Sequence, residues 1–244
     1  MTIRYEANPP KILLDVDTDE SIKRFIEKIK IISKKCDAIH LTENVLGHQR
    51  VSPIKIGEII KKEIPNIPIT VSLRVRDKNE EEIEKFVDKC ISIGITGILI
   101  IMGDPSQLKD VKSGLIPSDV VSNLKKKKYD SKIELYLSIS NKPNFLKIEK
   151  KIKAEPKGFM TQVIQNIQQV QTLADNLKQF SIIPIILFPS EKNQKSADFL
   201  GLNLEEYNKN FDKLVKEAYR ITGDVLITSP NDFNGLKEYL EKHW

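Results

Sequence analysis

Glu6 lies in Tyr5-Glu6-Ala7-Asn8-Pro9-Pro10-Lys11, where an acid interrupts an apolar start shortly before two prolines. No helix can begin there and the backbone that follows is stiff, so the carboxyl is expected to project from a strand end. Further along, an apolar run from Gly97 to Met102 ends in Gly103-Asp104-Pro105, a second carboxyl at a second strand end. Two such groups could share one site. Partial desolvation would raise the pKa of Glu6 and let it hold a proton near neutrality, the requirement for a general acid. Gln162, inside Phe159-Met160-Thr161-Gln162-Val163-Ile164, adds an amide whose donor and acceptor suit the edge of a heterocycle. Where such an amide is buried it needs a partner.

Strand ends converge only in certain folds, so the elements behind these residues decide the reading. Apolar or β-branched runs occur at Ile3 to Glu6, Ala38 to Thr42, Ile69 to Val75, Gly97 to Met102, Ile133 to Ile139, Gly158 to Val163, Ile182 to Phe188 and Val225 to Thr228. Helical periodicity falls between them. Ile22, Phe25, Ile26, Ile29 and Ile32 form one stripe within Ser21 to Lys34, with Asp19 near its N-cap. Asn79 and Glu82 form a capping pair for a helix from Glu80 to Ile93 that stops at Gly94. Further stripes run through Ile167, Val170, Ala174 and Leu177, through Tyr207, Phe211, Leu214, Val215 and Ala218, and through Phe233, Leu236, Tyr239 and Leu240.

Eight strand–helix units in 244 residues match an α/β protein of the (β/α)8 TIM-barrel type, read as one domain over residues 1–244. The competing doubly wound sheet usually carries G-x-G-x-x-G after its first strand, and this chain has no such run. In a barrel the C-terminal strand ends hold the site. The polar residues there are Glu6, Thr42, Glu43, Arg74, Arg76, Asp77, Asp104, Ser138, Ser140, Asn141, Thr161 and Gln162.

Composition narrows the function further. The chain is 40% hydrophobic and 30% charged, enough for a sizeable core, and its net charge of +5 is spread along the sequence without the aromatic-basic modules of nucleic-acid binders. No apolar stretch reaches the length of a membrane span and the start lacks a secretory h-region, so the expected location is cytoplasmic with no membrane partner. Two cysteines give no disulfide framework, and His40, His48 and His243 have no metal-ligand spacing, so no metal site is expected. Lys125 to Lys128 reads as a solvated helix end. The Phe188 to Leu202 segment, polar from Ser190 to Ser196, is long enough to cover the mouth, which the sequence leaves open.

At these residues the chain resembles the methylenetetrahydrofolate reductase family. Tyr5-Glu6-x-x-Pro9-Pro10-Lys11 is similar to the family's F-E-x-x-P-P-K opening. Ile39-His40-Leu41-Thr42 with Gly47 and Arg50-Val51-Ser52-Pro53, Leu73-Arg74-Val75-Arg76-Asp77-Lys78-Asn79, Gly103-Asp104-Pro105 and Gly158-Phe159-Met160-Thr161-Gln162 follow in order over about Ile3 to Pro189. The resemblance implies a barrel that binds FAD, takes hydride from NADH or NADPH, and reduces a methylene-tetrahydropterin, folate or a methanopterin-like analogue, to its methyl form. It makes Glu6 the general acid, Asp104 the carboxylate beside flavin and pterin, and Gln162 the pterin anchor. Thr42, Gly103, Asp104, Asn141 and Lys151 fall on the FAD side. Departures cluster on that side too: Met102 stands where many members have Arg, the segment after strand five is short at Asn141-Lys142-Pro143-Asn144, and Ala154-Glu155-Pro156 replaces A-G-A. Two alternatives therefore stand beside the flavoenzyme: a flavin-free reductase, and a pterin-binding subunit working with a partner protein or as a homo-oligomer.

Overall fold

The computed structural model describes residues 2–45, 48–105 and 113–244; Gly47 of the family-like motif lies outside them. Strands β1 (Thr2–Ala7), β2 (Ala38–Leu41), β3 (Ile69–Arg74), β4 (Gly97–Ile101), β5 (Glu134–Ile139), β6 (Gly158–Val163), β7 (Ser181–Leu187) and β8 (Asp224–Thr228) pair in sequence order into a closed barrel. Every pairing is parallel, including β1 with β8. The (β/α)8 barrel is thus observed, and each apolar run of the sequence matches its strand to within one residue at either end. Helices α1 (Thr18–Ile32), α2 (Pro53–Glu63), α3 (Glu80–Ser92), α4 (Pro117–Lys126), α5 (Glu149–Lys153), α6 (Ile167–Asn176), α7 (Gln194–Phe199), α8 (Leu204–Thr222) and α9 (Phe233–His243) surround it. None of the described helices is long and apolar enough to cross a membrane.

Local chemistry explains the helix ends. Asn79 accepts from the Glu82 backbone N–H at 2.9 Å while the Glu82 carboxylate accepts from the Asn79 N–H at 2.8 Å, the expected reciprocal cap of α3. The cap of α1 is Asp17, whose Oδ1 accepts from the backbone N–H of Asp19 and Glu20, so Asp19 lies in the first turn, where its charge complements the helix dipole. The stripe on α8 is buried at Tyr207, Phe211, Leu214, Val215 and Ala218 as its spacing requires. Cys36 and Cys90 are buried and burial pushes both thiols up to about 12, which leaves them unreactive at neutral pH.

Strand parity sorts the side chains into two layers. Ile3, Tyr5, Ala7, Ile39, Leu41, Val71 and Leu73 join the large cluster beneath the helices, which leaves Arg4, Glu6, His40, Thr70, Ser72 and Arg74 pointing into the barrel. On the opposite wall a separate cluster of Leu99, Tyr136, Met160, Ile183 and Leu226 fills the interior. The interior is therefore polar along β1 to β3, with Asp224 and Thr228 of β8 joining that side, and its middle layer is apolar along β4 to β8. Polar groups enclosed this way need partners. His40 lies between the hydroxyls of Thr70, at 2.9 Å, and Ser72, at 3.1 Å, and burial lowers its pKa to about 3, so it is a neutral structural histidine. Arg4 donates from Nε and Nη2 to the Asp224 carboxylate at 2.8 and 2.7 Å, linking the first strand to the last.

That pair sits at 9% and 18% side-chain exposure, so removing one partner strands the other charge. Asp224→Ala is expected to cost about 3–5 kcal/mol in denaturant unfolding, whereas Arg4→Met with Asp224→Leu should recover most of the loss. Equal losses in the single and double variants would remove the pair from its role in barrel closure.

Candidate functional site

The Glu6 carboxyl emerges at the C-terminal mouth of β1, on the inward face, and β1–β8 register sets it opposite Thr228. Thr228 Oγ1 donates to Glu6 Oε1 at 2.6 Å. The loop that follows is braced by the second unit. Arg50 Nη1 donates to the Pro9 carbonyl at 2.6 Å, the Val51 N–H to the Pro10 carbonyl at 2.9 Å, and Thr42 Oγ1 to Asn8 Oδ1 at 2.7 Å. The Pro9-Pro10 turn is thus bound to the β2–α2 connection, and Glu6 keeps a fixed exit.

Beside Glu6 and Thr228 opens a cavity of about 560 Å³, walled by Asn141, Gln162, Ile185 and Phe199 among others. Burial raises the Glu6 pKa above the usual carboxylate range, and the hydrogen bond from Thr228 works against that rise. Gln162 is not buried, so its amide does not need a protein partner. It is exposed on the cavity wall and makes no hydrogen bond to the described residues, because β6 shifts register against β7 between Met160 and Val163 where the two strands reach the mouth. Both ends of its amide remain open for a ligand. Phe199, at the end of α7, is 79% exposed and contributes a ring to the same wall.

The segment from Phe188 to Leu202 folds into a short 3-10 turn, Glu191–Asn193, and helix α7. Its anchor is Asn193, fully buried, which donates to the Phe188 carbonyl at 2.9 Å and to Ser229 Oγ at 3.0 Å and accepts from the Asn231 N–H at 3.0 Å. The segment is a seated wall of the cavity.

Asp104 stands apart from this arrangement: it is exposed at the end of β4 and is not one of the residues lining the cavity beside Glu6. The two strand-end carboxyls therefore do not share that wall. Instead Asp104 belongs to a network around Arg74, whose Nη2 donates to the Asp104 carbonyl at 2.9 Å. Glu43 receives the Arg74 backbone N–H at 2.7 Å and Lys78 Nζ at 2.8 Å, and Asp77 lies 3.8 Å from Arg74 Nη2. Gly103 has φ +85 and rests on the Arg74 side chain, where a Cβ would lie 2.5 Å from Nε. Only glycine combines that conformation with that approach.

The remaining groups on the FAD side each donate one hydrogen bond within the protein. Thr42 Oγ1 donates to Asn8, Asn141 Nδ2 to the Val163 carbonyl at 2.7 Å, and Lys151 Nζ to the Ser138 carbonyl at 2.7 Å. Burial also lowers the Lys151 pKa. Helix α5, which carries Lys151, has 5 residues and no side-chain cap, so it offers little macrodipole to an anion.

Sequence reasoning passed over Thr228, although it ends the eighth apolar run as Glu6 ends the first and the strand-end rule selects it. Phe199 could not be reached that way, since its place on the wall depends on the Asn193 anchor. No curated protein matches the chain. Among solved structures it is similar to an uncharacterized protein from Clostridium thermocellum that binds two copies of 5-methyl-5,6,7,8-tetrahydrofolic acid, with 16% identity, a TM-score of 0.64, and coverage of 98% of this chain and 91% of that one. A family model described as methylenetetrahydrofolate reductase matches residues 1–191, and this chain belongs to that family.

Proposed function

We propose that the chain binds a tetrahydropterin in the cavity beside Glu6 and reduces its methylene form to the methyl form. One observation carries the reading: a carboxyl with a raised pKa and an amide free at both ends line the same cavity. Gln162 would pair with the donor–acceptor edge of the pterin ring, and Phe199 would cover the flat aryl part of the carrier. Glu6, protonated, would give its proton to the ring nitrogen that departs as the five-membered ring opens. The carbon–nitrogen bond breaks with its electron pair going to that nitrogen, leaving an iminium at the methylene carbon. A dihydronicotinamide then delivers hydride to this carbon, becoming the oxidised nicotinamide, and Glu6 regains its proton from water.

No step is routed through a flavin. Thr42, Asn141 and Lys151 each already give one hydrogen bond to a protein atom and Gly103 is closed against Arg74, which is why a flavin-free step is preferred here. When bound, FAD would relay the hydride. The reading expects protein purified after incubation with FAD to show no retained flavin absorbance, and persistent flavin bands would restore the flavoenzyme. A second reading is a binding subunit that presents the carrier to a partner protein. The Clostridium thermocellum protein's two bound copies of 5-methyl-tetrahydrofolic acid favour it.

Turnover separates the two. Glu6→Gln should lower methylene-tetrahydropterin reduction by about 10²- to 10⁴-fold while leaving methyl-tetrahydropterin affinity within a few-fold. Because the acid must be protonated, the wild-type rate should fall as pH rises through the raised Glu6 pKa. A wild-type chain that binds the methyl carrier saturably and never turns over with NADH, NADPH or a chemical reductant would establish the binding subunit. Gln162→Ala should weaken carrier binding by roughly tenfold, as expected for loss of a paired hydrogen-bonding edge, in calorimetric titration. Unchanged affinity would place the pterin elsewhere.

A further inference from the structure

The Glu6 carboxyl has two oxygens, and an acid that delivers a proton in one direction must hold it on the correct one. Oε1 accepts the hydroxyl proton of Thr228 at 2.6 Å. Thr228 is itself 6% exposed, closes β8 on the inward face, and is register-paired with Glu6, so its hydroxyl is held in place by the barrel. A neutral carboxyl has one carbonyl oxygen that accepts well and one that bears hydrogen.

We propose that Thr228 is the positioning residue for the acid: it fixes Oε1 as the acceptor, so that the transferable proton resides on Oε2, toward the cavity. This rests on the reading of Glu6 as a general acid.

Among the described residues, Thr228 is the polar group that acts on that carboxyl against the effect of burial. On β2, His40 is register-paired with Glu6 but is neutral, with both ring nitrogens engaged by Thr70 and Ser72. Arg4, on β1, is held by Asp224 of β8. Tyr5 points the other way, edge-on to Phe233 of α9. Arg50, from the β2–α2 connection, is directed to the Pro9 carbonyl. Gln162 of β6, Asn141 after β5, and Ser196 and Phe199 of α7 face the cavity without charge. Among the described residues no charged side chain bonds Glu6, so burial and one hydrogen bond set its proton affinity, in opposite directions.

Thr228→Val removes the hydroxyl at nearly constant volume. A hydrogen bond to a carboxylate stabilises the ionised form more than the neutral one, so its loss should move the Glu6 titration upward by about one pH unit or more. The test is infrared titration of the protonated-carboxyl band, assigned by its loss in Glu6→Gln, together with the pH profile of kcat. The expected result is an upward shift of band and alkaline limb in Thr228→Val, their return to wild-type positions in Thr228→Ser, and a lower kcat plateau in the valine variant. Thr228→Ala serves in its place if the valine variant does not fold, checked by carrier binding. An unmoved band in the valine or alanine variant, or an equal shift in the serine variant, would overturn the positioning role. If instead Glu6→Gln turns over normally, the acid reading fails while the infrared result still decides what Thr228 does to the carboxyl.

Discussion

The parallel pairing of β8 with β1 is the constraint on which the site depends. Glu6 and Thr228 are 222 positions apart in the chain, and only barrel closure brings them within a hydrogen bond. The same closure lays Arg4, two residues below Glu6 on β1, against Asp224, four residues below Thr228 on β8, so one pair of strands carries an ion pair inside the barrel and an acid with its donor at the mouth. The buried ion pair carries a desolvation cost on both groups, and its geometry, with more than one hydrogen bond to the carboxylate, offsets it. Slippage of this seam by one residue would turn Glu6 from the cavity to the helix layer.

The mouth that results has two unlike halves. From β5 round to β1 it is open, with Gln162, Phe199 and Glu6 on a cavity wall and Asn193 fastening α7 in place. From β2 to β4 the described residues form a network in which Arg74 bonds Glu43 and the Asp104 carbonyl, and Lys78 bonds Glu43. Family members that use a flavin need room and free donors for it as well as for the pterin. Here the Gln162 amide, which bonds no described residue, lies on the half with Glu6. This division follows from side chains rather than from any change in the barrel, in keeping with the general separation of fold from function.

Much of this was legible in the sequence. Parallel strands buried on both faces give unbroken apolar runs, so Gly158 to Val163 and Ile69 to Val75 announced themselves, and the Asn79–Glu82 cap fixed the start of α3. Glu6 stood out because an acid at the end of such a run has little local structural purpose. Tertiary facts were hidden. That Asp104 lies off the Glu6 wall follows from Arg74 drawing the Gly103 turn over itself, and that Gln162 is open follows from a register shift between β6 and β7. Both depend on contacts between units distant in sequence, which strand-end polarity alone does not encode.

The central claim is that a tetrahydropterin lies in the cavity with its reacting nitrogen at Glu6. A crystal structure of the chain with 5-methyltetrahydrofolate tests it most directly. The account predicts the pterin edge paired with the Gln162 amide and the nitrogen freed by ring opening at hydrogen-bond distance, about 3 Å, from Glu6 Oε2. A carrier bound elsewhere, or one whose ring nitrogens all lie beyond reach of Glu6 even through one water, would contradict it.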